Sequence, residues 1–151
     1  MTVLGRFMAQ SSADRRLLCE AAVRLAFVRI GLYAVGFAVL RRWLGLRQPA
    51  ADTTQPSDSA SGPAEVAGRV AWAVQAAARR IPGATCLVQA LVAEAMLRRR
   101  GYEPALHFGV RQRPDRRSID AHAWIELNGA VVVGAVANLG DYAVLSGPEH
   151  P

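Results

Sequence analysis

The apolar pattern of this chain changes its period once, and no other feature constrains the fold as much. Val66, Val70, Val74 and Ala77 recur at helical spacing and stop at Arg79–Arg80. Ile81-Pro82-Gly83 breaks the pattern. Thr85 then stands where an N-cap belongs, and Cys86 opens a second helix that runs to Arg100. Leu87, Val88, Leu91, Val92, Ala95 and Met96 give that helix the wide apolar face of a buried element. Gly101 signals its end and Pro104 blocks continuation. From there the period is two. Leu106, Phe108 and Val110 alternate with His107, Gly109 and Arg111. A charged turn around Pro114 follows. In the next strand Ala121, Ala123, Ile125 and Leu127 face one way, and His122, Trp124 and Glu126 the other. Asn128-Gly129 is a strong hairpin signal, so Val131–Val133 is a third strand antiparallel to the second. The remainder is loop with room for one more short strand. Helices followed by a meander predict an α+β domain, a helix packed on a small antiparallel sheet.

Upstream, residues 1–46 read as a helical region and 47–63 as a Pro/Ser-rich linker with no aliphatic side chain larger than Ala. The compact domain is 64–151, small enough to need help from the first segment or from a partner. The apolar run from Ala21 to Leu46 is interrupted by Arg24 and Arg29, and only the eleven residues from Ile30 to Leu40 are free of charge. A bilayer span needs roughly 20. The segment is therefore expected to pack on the domain or on another protein. A membrane-surface helix anchored by Arg41, Arg42 and Trp43 is the alternative.

Composition narrows the function classes. All 18 basic residues are Arg, against 12 acidic, for a net charge of +6. With no Lys, a Schiff-base amine or a phosphate-gripping ammonium is excluded. The Arg residues cluster in pairs at helix ends, where they complement the helix dipole. No aromatic residues interleave with them to stack bases, so no nucleic-acid partner is expected. Two Cys residues cannot build a disulfide framework, and a reducing, cytoplasmic setting is expected.

The chemistry rests on Cys86 and His122. A thiol in the first turn of a helix meets unpaired N–H groups and the positive end of the dipole, which favour a thiolate. The same groups suit an oxyanion. The bland reading is a small buried apolar residue, the usual fate of a free Cys. His122, mid-strand and opposite the apolar set, is the base such a thiol needs. Its bland reading is a satisfied structural histidine. His107, on the polar face of the neighbouring strand, reads as half-exposed, and His150 as solvated. Trp124 shares the face of His122, as a substrate contact or as cover for the sheet. Cys19 reads as core packing. The Cys and His spacings match no zinc site, so no metal and no cofactor is expected.

The run PGATCLVQALVAEAMLRRRGYEPALHFGVRQ, followed by DAHAWIELNGAVVVG, resembles the transglutaminase-like cysteine peptidases of lasso-peptide biosynthesis over about residues 65–145. The resemblance implies a papain/transglutaminase-like fold, with Cys86 as nucleophile and His122 as general base and acid. It also implies the substrate: a ribosomally made precursor peptide whose leader is removed. The implied partners are a small leader-binding protein and an ATP-dependent lasso cyclase of asparagine-synthetase type.

One departure from that pattern stands out. Where the family carries an Asp on the strand after the His, this chain has Gly134. Asn138 or Asp141 from the following loop is the expected replacement; a Cys–His dyad with no third residue is the other reading. The missing carboxylate also admits a docking subunit that presents the precursor to the cyclase without cutting it, and the fold class admits acyl transfer to an amine.

Overall fold

The computed structural model describes residues 11–44, 62–113 and 118–145. The linker expected over 47–63 lies outside them save its last two residues, as do the turn at Pro114 and His150. Four helices precede the strands: α1 (Ser12–Ala34), α2 (Phe37–Trp43), α3 (Pro63–Ala78) and α4 (Cys86–Arg98). The strands are β1 (Ala105–Gln112), β2 (Ile119–Leu127), β3 (Ala130–Val133) and β4 (Ala143–Val144), with a 3-10 turn at Leu139–Asp141. They form one antiparallel sheet in the order β3-β2-β1-β4. The α+β expectation holds.

Local chemistry explains the boundaries. The Ser11 hydroxyl caps α1 by accepting from the Asp14 N–H at 3.1 Å. Pro63 fills the first position of α3, where its missing N–H costs nothing. Gly101 closes α4 in a left-handed conformation, φ 82°. Its N–H bonds to the Arg98 carbonyl and that of Tyr102 to Leu97, the Schellman pairing. At the β2–β3 hairpin Asn128 and Gly129 both take positive φ, 52° and 76°, as a type I′ turn requires.

The helical region and the sheet share one core. Leu17, Ala21, Leu25 and Val28 of α1 recur at helical spacing and are buried with Val70, Val74, Leu91, Met96, Ile125 and Val133. The helix α4 is buried on almost every side, which accounts for its wide apolar face. Its one buried charge, Glu94, accepts from Arg41 of α2 at 3.4 Å and from Arg98 at 3.3 Å. Burial pushes the Glu94 carboxyl above its ordinary range, and the two guanidiniums oppose that shift. Arg41 is thereby turned inward, while Trp43 stays exposed.

Cys19 corrects an expectation. It is exposed, because the core stripe of α1 runs through Leu17 and Ala21 and leaves position 19 on the outer face. There it lines a groove with Val23 and Phe27. Among the described residues, no helix is long and apolar enough to cross a membrane.

Candidate active site

Cys86 is the first residue of α4, directly after the N-cap. The Thr85 hydroxyl accepts from the Val88 N–H at 3.5 Å, a long bond. The Gln89 side-chain amide donates to the Ala84 carbonyl at 2.8 Å and ties the preceding loop to the helix. Cys86 is half-buried and packs against the helical core. The loop before it also touches α1, since an added Cβ at Gly83 would fall 2.7 Å from Arg29 Nε. Thr85→Ala is expected to cost about 0.5–1 kcal/mol, the lower part of the capping range, because the bond is long. A denaturant midpoint measurement checks this.

His122 lies on β2. Its neighbours Ala123, Ile125 and Leu127 point into the core, while His122, Trp124 and Glu126 occupy the other face. The His122 and Trp124 rings lie nearly parallel with centroids 6.2 Å apart, and His107 of β1 stacks on the same indole at 5.5 Å. The Tyr142 ring stands 5.5 Å from His122. His122 Nε2 lies 2.7 Å from the carbonyl oxygen of Gly134. A carbonyl only accepts, so Nε2 carries the proton and the Nδ1 lone pair is left open in the neutral ring. That is the tautomer a base facing a thiol requires. Among the described residues no hydrogen bond joins Cys86 to His122. The two ride on packed elements, α4 and β2; Cys86 packs against the core, and His122 shares a face of β2 with Trp124.

The other candidates are placed differently from expectation. No hydrogen bond joins Asn138 or Asp141 to His122 among the described residues. The Asn138 side-chain oxygen accepts from the Arg111 guanidinium, and Asp141 approaches the same group at 4.0 Å. The reason is electrostatic: Arg111 is a fixed cation at the end of β1, and it gathers the acceptors around it. It donates from Nε and Nη2 to Asp120 at 3.1 and 3.0 Å and lies 5.0 Å over the Tyr142 ring. Trp124 is 3% exposed and so offers a substrate almost no surface. Its indole N–H donates to Glu126 at 3.0 Å. It fits because β1 has no side chain at Gly109, where a Cβ would meet the indole at 2.8 Å. Trp124 lies between the His122 and His107 rings. His107 is half-buried, with Nε2 3.4 Å from Glu126 but without hydrogen-bond geometry.

Arg111, Asp120 and Tyr142 were not singled out from the sequence. The signal was available in part: an antiparallel hairpin places Arg111 directly opposite Asp120. The hydrogen bonds from Arg111 and from the Tyr142 hydroxyl hold the Asp120 carboxyl below its ordinary value of 3.8. The cluster is therefore intact at neutral pH. It is lost as pH falls through that lowered value, not at 3.8. A carboxyl-detected NMR titration should place the Asp120 midpoint below 3.8, and Arg111→Gln should raise it.

A family model described as transglutaminase-like superfamily matches residues 31–147, more than three quarters of the chain. The chain belongs to the transglutaminase-like superfamily. Comparison with curated proteins and with solved structures found no match. The superfamily match spans α3, α4 and all four strands, and it also takes in the end of α1 and α2. The superfamily includes cysteine peptidases, and the α+β architecture with a cysteine-bearing helix against an antiparallel sheet agrees with a transglutaminase-like fold.

Proposed function

We propose that the protein is a cysteine peptidase that removes the leader from a ribosomally made lasso-peptide precursor before macrolactam closure. The observation that carries this reading is the position of Cys86, the first residue of a capped, buried helix in a transglutaminase-like domain. The Cys-Leu at that helix start, the Leu-Arg-Arg-Arg-Gly at its end and the Ala-His-Ala-Trp-Ile-Glu strand support the narrower assignment.

In the proposed reaction His122 Nδ1 takes the thiol proton, and the thiolate attacks the scissile carbonyl. Backbone N–H groups at the start of α4 are suited to the oxyanion of the tetrahedral intermediate. The C–N bond breaks and the imidazolium returns the proton to the leaving amine. Water, deprotonated by the same Nδ1, then releases the leader carboxylate from the acyl-enzyme. Thiol and imidazole would have to close on each other when peptide binds, as catalytic hydrogen bonds often tighten only in the substrate complex. The partners in this reading are the precursor, a small leader-binding protein and an ATP-dependent cyclase.

That no hydrogen bond joins Cys86 to His122 among the described residues favours a second reading, a docking subunit that presents the precursor without cutting it. Mass spectrometry decides between them. The protein is incubated with the precursor and the leader-binding protein from its own gene neighbourhood. A free leader fragment and a trimmed core support the peptidase. Precursor binding with no fragment supports docking.

A further inference from the structure

We infer that the main-chain carbonyl of Gly134 is the positioning group for His122, standing where a side-chain carboxylate would otherwise hold the ring. The inference deepens the peptidase reading and rests on it for the role of His122, but the geometry stands by itself. The Gly134 oxygen is 2.7 Å from Nε2. Trp124 and Tyr142 flank the ring, so its plane is set by packing while the carbonyl sets which nitrogen bears hydrogen. Among the described residues no carboxylate pairs with His122. The nearby acidic groups Asp120 and Asp141 are directed at Arg111. Glu126 takes the indole N–H of Trp124 and the approach of His107.

Gly134 is suited to this task by what it lacks. Its φ is +90°, a conformation that side-chain-bearing residues avoid. A Cβ there would lie 2.7 Å from the Ala123 carbonyl oxygen and 2.9 Å from Trp124 Cα, both backbone atoms that cannot step aside. The chain can thus swing its carbonyl onto the imidazole only if position 134 carries no side chain. The same packing that delivers the acceptor forbids an Asp at this position. In the peptidase reading this carbonyl takes the place of the missing carboxylate.

The inference predicts a tautomer and a dependence on one oxygen. In protein labelled with 15N-histidine, at a pH where the ring is neutral, His122 should be the Nε2–H form. Its signals are assigned by their absence in His122→Gln. Replacing Ala135 by its α-hydroxy analogue turns the 134–135 amide into an ester, whose carbonyl is a weaker acceptor, and alters no side chain. That replacement should raise the Nδ1–H population and lower kcat for precursor cleavage about tenfold with KM little changed. Circular dichroism confirms that the ester protein is folded. Asp141→Ala and Asn138→Ala should leave the tautomer as it is. An Nδ1–H ring in the unaltered protein overturns the inference. So does a tautomer that ignores the ester but shifts in Asp141→Ala. If the unaltered protein cleaves nothing, the peptidase reading fails, while the NMR result still decides what positions the ring.

Discussion

Cys86→Ala is expected to lower the rate of leader release by at least about 10³-fold while leaving precursor binding in place. The size follows from the chemistry. The acyl-enzyme route needs a sulfur at the start of α4, and alanine supplies none. The only other thiol, Cys19, is on the outer face of α1. His122→Ala should have a loss of the same order, and the double variant should be little slower than either single one, because nucleophile and base act as a unit. The measurement is the initial rate of leader release by mass spectrometry, with precursor affinity followed in parallel. Cleavage at the original rate in Cys86→Ala would end the peptidase reading. An independent check is alkylation of Cys86 by iodoacetamide in a Cys19→Ser background, since the exposed Cys19 would otherwise dominate the labelling.

The second large effect concerns stability. Leu25→Ala is expected to cost about 2–5 kcal/mol, the range for truncating a fully buried leucine. Leu25 is 0% exposed and lies in the stripe by which α1 joins the shared core. Val23, two residues earlier on the same helix, is 70% exposed, and Val23→Ala should stay within about 0.5 kcal/mol. Urea unfolding of both variants measures the contrast. Equal effects would mean that α1 does not share the core of the cysteine-bearing helix and the sheet. A single cooperative transition in the parent chain is expected for the same reason.

Much of this fold was legible because its signals are local. Thr85 before Cys86, Gly101 after the Arg run and the Asn128-Gly129 turn each act within a few residues, and each sits where the sequence places it. The alternation along β2 assigned His122 and Trp124 to one face for the same reason. What the sequence hid was long-range. Nothing local says that the outer side of α1 carries Cys19, because apolar Val23, Phe27 and Ile30 are exposed there beside the charged residues and blur the stripe. Nothing local says that Asn138 and Asp141 turn to Arg111, because a cation 27 and 30 residues away makes that choice. The partner of His122 was hidden most thoroughly. A backbone oxygen has no letter in a sequence, and its presence shows only as a glycine where an acid was expected.

The bond from the imidazole to a peptide oxygen has one more implication. An amide oxygen gains no proton in the range where Asp and Glu titrate. Acidifying the solution therefore cannot release the ring in the way that protonating a carboxylate would. When the ring itself takes up a second proton, its Nε2–H still donates to the same oxygen. Acid reaches this part of the sheet through Asp120, which ties Tyr142, and not through the group that holds the ring.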